Sequence, residues 1–311
     1  MNEASAPYAG LQDRRLAMVL LVIAPAMFAS NMLVAKAVAD LIPPVALAFG
    51  RWSVTFLLLL PFTLPSLWRQ RRQVLAEWRD LAMLGALGMG VCGAFVYVGA
   101  DTTTATNIGL IYAASPILIV VIARIGYREP LSGGQACGVA LSLLGVLVVV
   151  CRGRWQTLVG FDFTVGDLWI VASAIGWALY SVLLRYRPSE LPMMTRFAAA
   201  VMMGVMILLP FTLVEAFYGE PARIDGMTIG TMVFLALVVS FGGYQVYGLI
   251  QRSLGAGPTG LLMYLIPLYN AGLAYLLLGE RLAAYHLVGA VLVLPGIYLA
   301  TRRAGRLEPA R

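Results

Sequence analysis

The sequence predicts an all-α integral membrane protein of ten transmembrane helices, arranged as two inverted five-helix repeats. Three observations predict it. The 311 residues are 60% hydrophobic and only 12% charged, with a mean hydropathy of +0.85. A soluble domain carries about 25% charged residues. The apolar residues gather into runs of spanning length, and one pattern recurs at a fixed offset of 151 residues.

A span needs about 20 mostly apolar residues. Ten such runs follow one another at 16–38, 43–65, 80–100, 104–125, 132–151, 166–186, 192–217, 228–250, 258–278 and 282–301. Residues 1–13 are polar and carry Glu3 and Asp13, so the first run reads as a span that stays rather than a cleaved leader. The connections are short and leave no soluble catalytic domain. Basic residues set orientation. With the N-terminus in the cytoplasm, 16 of the 22 Lys and Arg fall on the cytoplasmic side and 5 on the outer side, leaving Arg51 inside a span. Both termini are therefore expected in the cytoplasm. The loop "WRQRRQVLAEWR" (68–79) is the clearest cytoplasmic segment, with Trp68 and Trp78 as interface anchors.

The net charge of +7 thus belongs to membrane orientation and implies no nucleic-acid partner. Cys92, Cys137 and Cys151 form no C-x-x-C pair and read as small packing residues. A single histidine, His286, excludes a His-based metal cluster or relay. No acid, base and nucleophile cluster, so the chain is expected to be no enzyme, with no cofactor and no metal. Its expected partners are the lipid bilayer and a small-molecule substrate.

Residues 109–150 superpose on 260–301 without a gap and share 10 identities in 42. They include Pro116 with Pro267, Glu129 with Glu280, and Gly138 and Gly145 with Gly289 and Gly296. The front halves echo more weakly at an offset of 149, where Trp177 falls on Phe28 and Pro192 on Pro43. Residues 1–155 and 156–311 are thereby read as two copies of five spans. Five is odd, so the second copy enters from the opposite side. An inverted repeat of this kind supplies the two related states that alternating access needs.

Ten spans in this arrangement resemble the drug/metabolite transporter superfamily, in its EamA-type branch. The motif that carries the likeness is Pro267, then Leu278-Gly279-Glu280-Arg281-Leu282, then Gly289 and Gly296. The first copy reads Pro116, Glu129, Leu131, Gly138 and Gly145, but has Tyr-Arg-Glu (127–129) where the family has Leu-Gly-Glu. "LIPPVALAFGRW" (41–52) looks like that family's second span. The likeness covers nearly the whole chain. It implies transport of small metabolites through a central cavity between the repeats, in a bacterial-type inner membrane. Within the family it points to YddG-like amino-acid exporters, aromatic and other neutral amino acids included. Carriers of nucleotide sugars or sugar phosphates, drug efflux, and a non-transporting membrane protein are the alternatives.

Arg51 is the clearest candidate for substrate. A charge at a helix centre costs about 2.5–3.5 kcal/mol on insertion scales. It lies about 12 Å along its helix from Pro43 at 1.5 Å per residue. It either holds a substrate carboxylate or pairs internally to fasten helices. Asp101 either receives a substrate ammonium or ends its helix as an ordinary polar residue. Lys36 and His286 read as interfacial. No deep carboxylate is expected in the spans, which disfavours proton-coupled drug exchange. The remaining candidates are neutral: Asn31, Tyr97, Asn107, Tyr112, Trp177, Tyr180, Tyr244, Gln245, Tyr247, Tyr264 and Asn270. Each alone fits interhelical hydrogen bonding or an aromatic belt, while the set fits a cavity lining. Pro116 and Pro267, mid-span in spans four and nine, are read as a shared kink used in gating.

Overall fold

The computed structural model describes residues 6–38, 41–154, 156–159, 163–219, 222–223, 225–278 and 283–302. The second motif copy, Gly279 to Leu282, lies outside them, as do Arg303, Arg306 and Arg311 and the side chains of Arg14 and Lys36. The described elements are all helical. α1 runs Ala6–Ala37, α2 Pro44–Arg69 and α3 Arg71–Ala76. α4 (Trp78–Leu84) continues through a π-helical segment (Gly85–Val91) into α5 (Cys92–Ala100). α6 (Ala105–Tyr112) and α7 (Ser115–Tyr127) are parted by a turn, and α8 (Gly133–Val150) and a short α9 (Gln156–Val159) follow. Then come α10 (Val165–Tyr186) and α11 (Met193–Tyr218). α12 (Gly226–Phe234) passes through a second π-helical segment (Leu235–Gly243) into α13 (Tyr244–Leu254). α14 (Ala256–Gly260), a 3-10 turn (Leu261–Leu265) and α15 (Ile266–Leu278) precede α16 (Ala284–Arg302).

Eight helical stretches among the described residues are long and apolar enough to cross a membrane, and α1 adds a shorter apolar segment, Arg15–Asn31. The chain is an integral membrane helical protein. The helix starts follow local chemistry. α2 and α11 each begin directly after a proline, Pro43 and Pro192. Capping boxes open α8 (Ser132 with Gln135), α10 (Thr164 with Asp167) and α12 (Asp225 with Thr228), so exposed first-turn amides find side-chain oxygens.

The chain divides into two compact units, and each draws on both halves of the sequence. One holds residues 30–111 and 163–245. Within it α2 packs on α11, and the pair is tied at both ends. Glu215, near the end of α11, accepts from the N–H groups of Val45 (3.0 Å) and Ala46 (2.7 Å) in the first turn of α2. At the opposite ends, Thr195 Oγ1 donates to Ser66 Oγ at 2.9 Å. Glycines let backbones approach: a Cβ on Gly85 would stand 2.6 Å from the Ala200 carbonyl oxygen, and one on Gly99 2.8 Å from that of Gly166. The α3 loop leaves Trp68 and Trp78 exposed, with the Arg71 and Arg79 guanidinium groups over their rings at 5.1 and 5.6 Å. Burial there opposes the charge on Glu77. Hydrogen bonds from Ser189 (2.6 Å), Gln73 (2.7 Å) and the Glu190 N–H (3.1 Å), with Arg196 nearby, nevertheless hold its carboxyl below the ordinary value.

The other unit holds residues 1–29, 112–162 and 246–311. Its main contact is α8 against α16. A Cβ on Gly138 would lie 2.5 Å from the Gly296 carbonyl oxygen and 2.6 Å from the Ala300 nitrogen. A Cβ on Gly145 would lie 2.8 Å from the Gly289 carbonyl oxygen. Between these crossings Ser142 Oγ donates to the Val293 carbonyl at 3.4 Å. Position numbers rise on one helix as they fall on the other, so the two run antiparallel. Such small-residue faces replace the hydrophobic drive that lipid removes.

Pro116 and Pro267 differ from the expected mid-helix kinks. Pro116 is the second residue of α7, after the turn at 113–114, and Pro267 is the second residue of α15, after the 3-10 turn. Both spans are therefore interrupted, and each proline starts a new helix where its missing N–H is not needed. The departure from the motif at 127–129 also has a geometric meaning. Arg128 closes α7 with φ +55°, the left-handed region. This is the position where the motif's glycine would enter without penalty.

Three outcomes are expected from thermal unfolding. Gly138→Ala should destabilise by about 1–3 kcal/mol, because only backbone can give way. Gly126→Ala, with open space around it, should leave the melting temperature unchanged or raise it. Arg128→Gly should stabilise by about 1 kcal/mol by relieving the left-handed residue; a lower melting temperature would contradict this.

Candidate functional site

The unit that contains α2 carries a buried polar cluster. Arg51, on the second turn of α2, is 2% exposed. Its Nη1 donates to Asn31 Oδ1 (3.0 Å) on α1 and to the Tyr97 hydroxyl (2.8 Å) on α5. The Tyr97 hydroxyl in turn donates to Asn31 Oδ1 at 2.6 Å. The guanidinium also lies 4.8 Å from the Trp52 ring centroid and 5.5 Å from that of Tyr97. Among the described residues no carboxylate comes within ion-pair distance of Arg51, and its Nε has no hydrogen-bond partner. The site thus holds a buried cation stabilised by neutral oxygens and two ring faces, with donors left over.

Tyr244 anchors the adjoining aromatic cluster. It meets Trp52 (5.0 Å), Trp177 (5.6 Å) and Tyr180 (5.6 Å) edge-on, and Phe197 at 6.0 Å. Trp177 and Tyr180 stack at 5.7 Å. The Tyr244 hydroxyl donates to the Gly88 carbonyl at 3.1 Å. Gly88 lies inside the first π-helical segment, and Tyr244 directly follows the second. The first residues of those segments, 85 and 235, are 150 positions apart. π-bulges are rare and concentrate at functional sites. Glycine is required at 88 and 93 for close approach: a Cβ on Gly88 would stand 2.7 Å from the Tyr180 ring, and one on Gly93 2.7 Å from Trp52 Nε1.

The other sequence candidates sit elsewhere. Asn107 Nδ2 donates to Asp167 at 3.0 Å. Asp167 corrects the expectation that no acid is buried: it is fully enclosed, and also accepts from Thr103 Oγ1 (2.5 Å) and from the Thr164 N–H (2.7 Å) and hydroxyl (3.1 Å). A first-turn aspartate reads as exposed in sequence; here residues 103–107 fold over it. Asp101 ends α5 and is exposed. Gln245 is half-buried, and its Nε2 lacks a partner among the described residues. In the other unit Tyr247 is buried edge-on to Phe28 at 6.5 Å. Tyr264 is buried on the 3-10 turn with no bond to its hydroxyl among the described residues. Tyr112 and Asn270 are half-buried. A cavity of about 30 Å³ in this unit, beside Glu129, Pro130, Gln135 and Pro258, has room for a water or two, far below the size of a metabolite site. Sequence reasoning missed Trp52, Gly93 and Phe197. The adjacency in "GRW" and the glycine row in "GMGVCG" were the available signals.

The sequence model of the EamA-like transporter family matches residues 15–151 and again residues 164–302. The chain belongs to the EamA-like transporter family. It is a membrane transporter and not an enzyme. An uncharacterised transporter of Bacillus subtilis, YyaM, is 27% identical over 257 residues, 81% of this chain and 82% of that one. A probable amino-acid metabolite efflux pump of Escherichia coli is 26% identical, over 61% of this chain and 65% of its own length. A probable terminal-alkyne amino-acid exporter of Streptantibioticus cattleyicolor is 26% identical, over 75% and 77%. A solved crystal structure at 20% identity aligns over 96% of this chain and 99% of its own with a TM-score of 0.73, which shows a shared fold.

The Tyr244 hydroxyl ties this transporter's aromatic cluster to its first π-helical segment. Tyr244→Phe should lower stability by about 1 kcal/mol and speed amide exchange over residues 85–93. Unchanged exchange there would show that the bond does not hold the segment.

Proposed function

We propose that this transporter exports amino acids or closely related metabolites, neutral and aromatic ones included, across a bacterial-type inner membrane. Both termini are cytoplasmic in this reading. The single observation that carries it is the buried guanidinium of Arg51, which has no counter-charge among the described residues. An isolated buried charge is unfavourable, and a substrate carboxylate would neutralise it through charge-assisted hydrogen bonds. A phosphate-bearing substrate would call for several cations. The Trp52 and Tyr244 cluster offers an apolar wall beside the anchor. Asn31 and Tyr97 orient the guanidinium. Two relatives whose names include amino-acid export support the substrate class.

The mechanism is alternating access by two inverted five-span repeats, residues 1–155 and 156–311. α1 and the interrupted stretch α14–α15 complete ten spans beside the eight long helices. Support comes from the α8–α16 crossing. Gly138 meets Gly296 while Gly145 meets Gly289, and the 151-residue offset pairs 138 with 289 and 145 with 296. Ser142 meets Val293, its own counterpart at that offset. Reciprocal contacts of this kind are the mark of a two-fold axis. The interruptions before Pro116 and Pro267 supply matched hinges, as discontinuous helices do in other transporters.

Arg51→Gln in proteoliposomes should abolish counterflow of amino acids while the protein still inserts and melts cooperatively. Arg51→Lys should recover only a fraction, since a lysine cannot present the planar fork. Wild-type flux in a folded Arg51→Gln protein would sink the assignment.

A further inference from the structure

Resting on that reading of Arg51, we infer that the site recognises its substrate by the carboxylate alone and does not read the α-amino group. Its ligands are then organic monoanions at large: 2-hydroxy acids, 2-oxo acids and N-acyl amino acids bind at least as tightly as the parent zwitterions.

The free hydrogen-bonding groups at the site are donors. Arg51 commits only Nη1, and its Nε is buried without a partner. Trp52 is 0% exposed, and its Nε1 is likewise buried without a partner among the described residues. These donors converge on Gly93. A Cβ there would lie 2.7 Å from Trp52 Nε1 and 3.5 Å from Arg51 Nη2. The missing side chain lets the indole N–H and the guanidinium close in side by side on the α5 backbone, two buried donors that one anion with two oxygens could satisfy together.

Nothing comparable awaits an ammonium. The Gly88 carbonyl, 3.5 Å from the same point, already accepts from Tyr244. Asn31 Oδ1 already accepts from Arg51 and Tyr97. The rings of Trp52 and Tyr97, which could hold an ammonium through cation–π contact, already carry the Arg51 guanidinium, whose charge repels a second cation there. Among the described residues, the other carboxylates of this unit have other work or stand exposed, as Asp101 does at the end of α5. Asp167 is saturated by Thr103, Thr164 and Asn107. Glu215 caps α2, Glu77 is bound by Ser189 and Gln73, and Asp80 faces Arg187 at 3.8 Å. The buried charge at the site is thus a lone positive one. A monoanion cancels it, whereas a zwitterion carries a second cation to within a few ångströms of the first. The offset that places Pro43 on Pro192 places Arg51 on Ala200, so the second half supplies no matching cation or anion.

The test is ligand-induced thermal stabilisation of the full-length wild-type protein at neutral pH, with counterflow competition in proteoliposomes as a second readout. The probes are phenylalanine, phenyllactate, N-acetylphenylalanine and phenylalaninamide, with the same four forms of leucine. Phenyllactate and N-acetylphenylalanine should match or exceed phenylalanine, and the amide should bind about tenfold more weakly or worse. Trp52→Phe, which keeps an aromatic ring and removes the donor, should weaken every carboxylate by about tenfold without changing their order. Zwitterions that bind while both monoanions fail would overturn the inference and leave amino-acid export standing. An amide that equals phenylalanine would overturn it as well. Silence from all eight compounds in both readouts would overturn the export reading itself.

Discussion

Inside a bilayer, a backbone N–H or C=O that leaves its helix finds no water, so every irregularity must be covered by protein. This transporter departs from α-helical regularity at four places within its spans among the described residues: the π-helical segments at 85–91 and 235–243, and the interruptions before Pro116 and Pro267. Two of them show how packing supplies that cover. The Gly88 carbonyl in the first π-helical segment takes the Tyr244 hydroxyl. The start of α7 is shielded by α14, where a Cβ on Gly260 would stand 2.9 Å from Ile119 and 3.6 Å from Pro116. Much of the glycine in this chain serves that end. Where a side chain would hold two backbones apart, none is present, and the helices close over the irregular stretch.

The same constraint governs charge. Of the described residues, Arg51 and Asp167 are the two buried ionisable groups with a formal charge at neutral pH. Asp167 is enclosed in hydrogen bonds from two threonines, an asparagine and a backbone amide, and reads as a device that fixes the start of α10. Arg51 is met only by neutral oxygens and ring faces. One group is satisfied by its own protein and the other is left with capacity. That contrast, rather than burial alone, separates a structural charge from one that can act on a substrate.

The membrane class, the eight long apolar helices and the repeated motif were legible in the sequence because they are linear properties. Hydropathy sums along the chain, and a duplicated segment keeps its register whatever it packs against. Arg51 stood out for the same reason, as an arginine inside an apolar run. The roles of Trp52, Gly93 and Asp167 were not legible. Each depends on a neighbour tens of residues away: Gly93 matters because α2 brings an indole to it, and Asp167 is buried because residues 103–107 cover it. The π-helical segments were equally hidden, since one extra residue per turn leaves hydropathy unchanged.

The sequence by itself determined that this is a helical membrane protein with a motif duplicated 151 residues apart and one arginine inside a span. Only the tertiary structure decided that each compact unit is assembled from both halves of the chain, that Pro116 and Pro267 begin helices rather than bend them, and that the buried arginine has no acidic partner among the described residues. The physical reason is that burial in lipid is a property of a segment, whereas satisfaction of a polar group is a property of a contact.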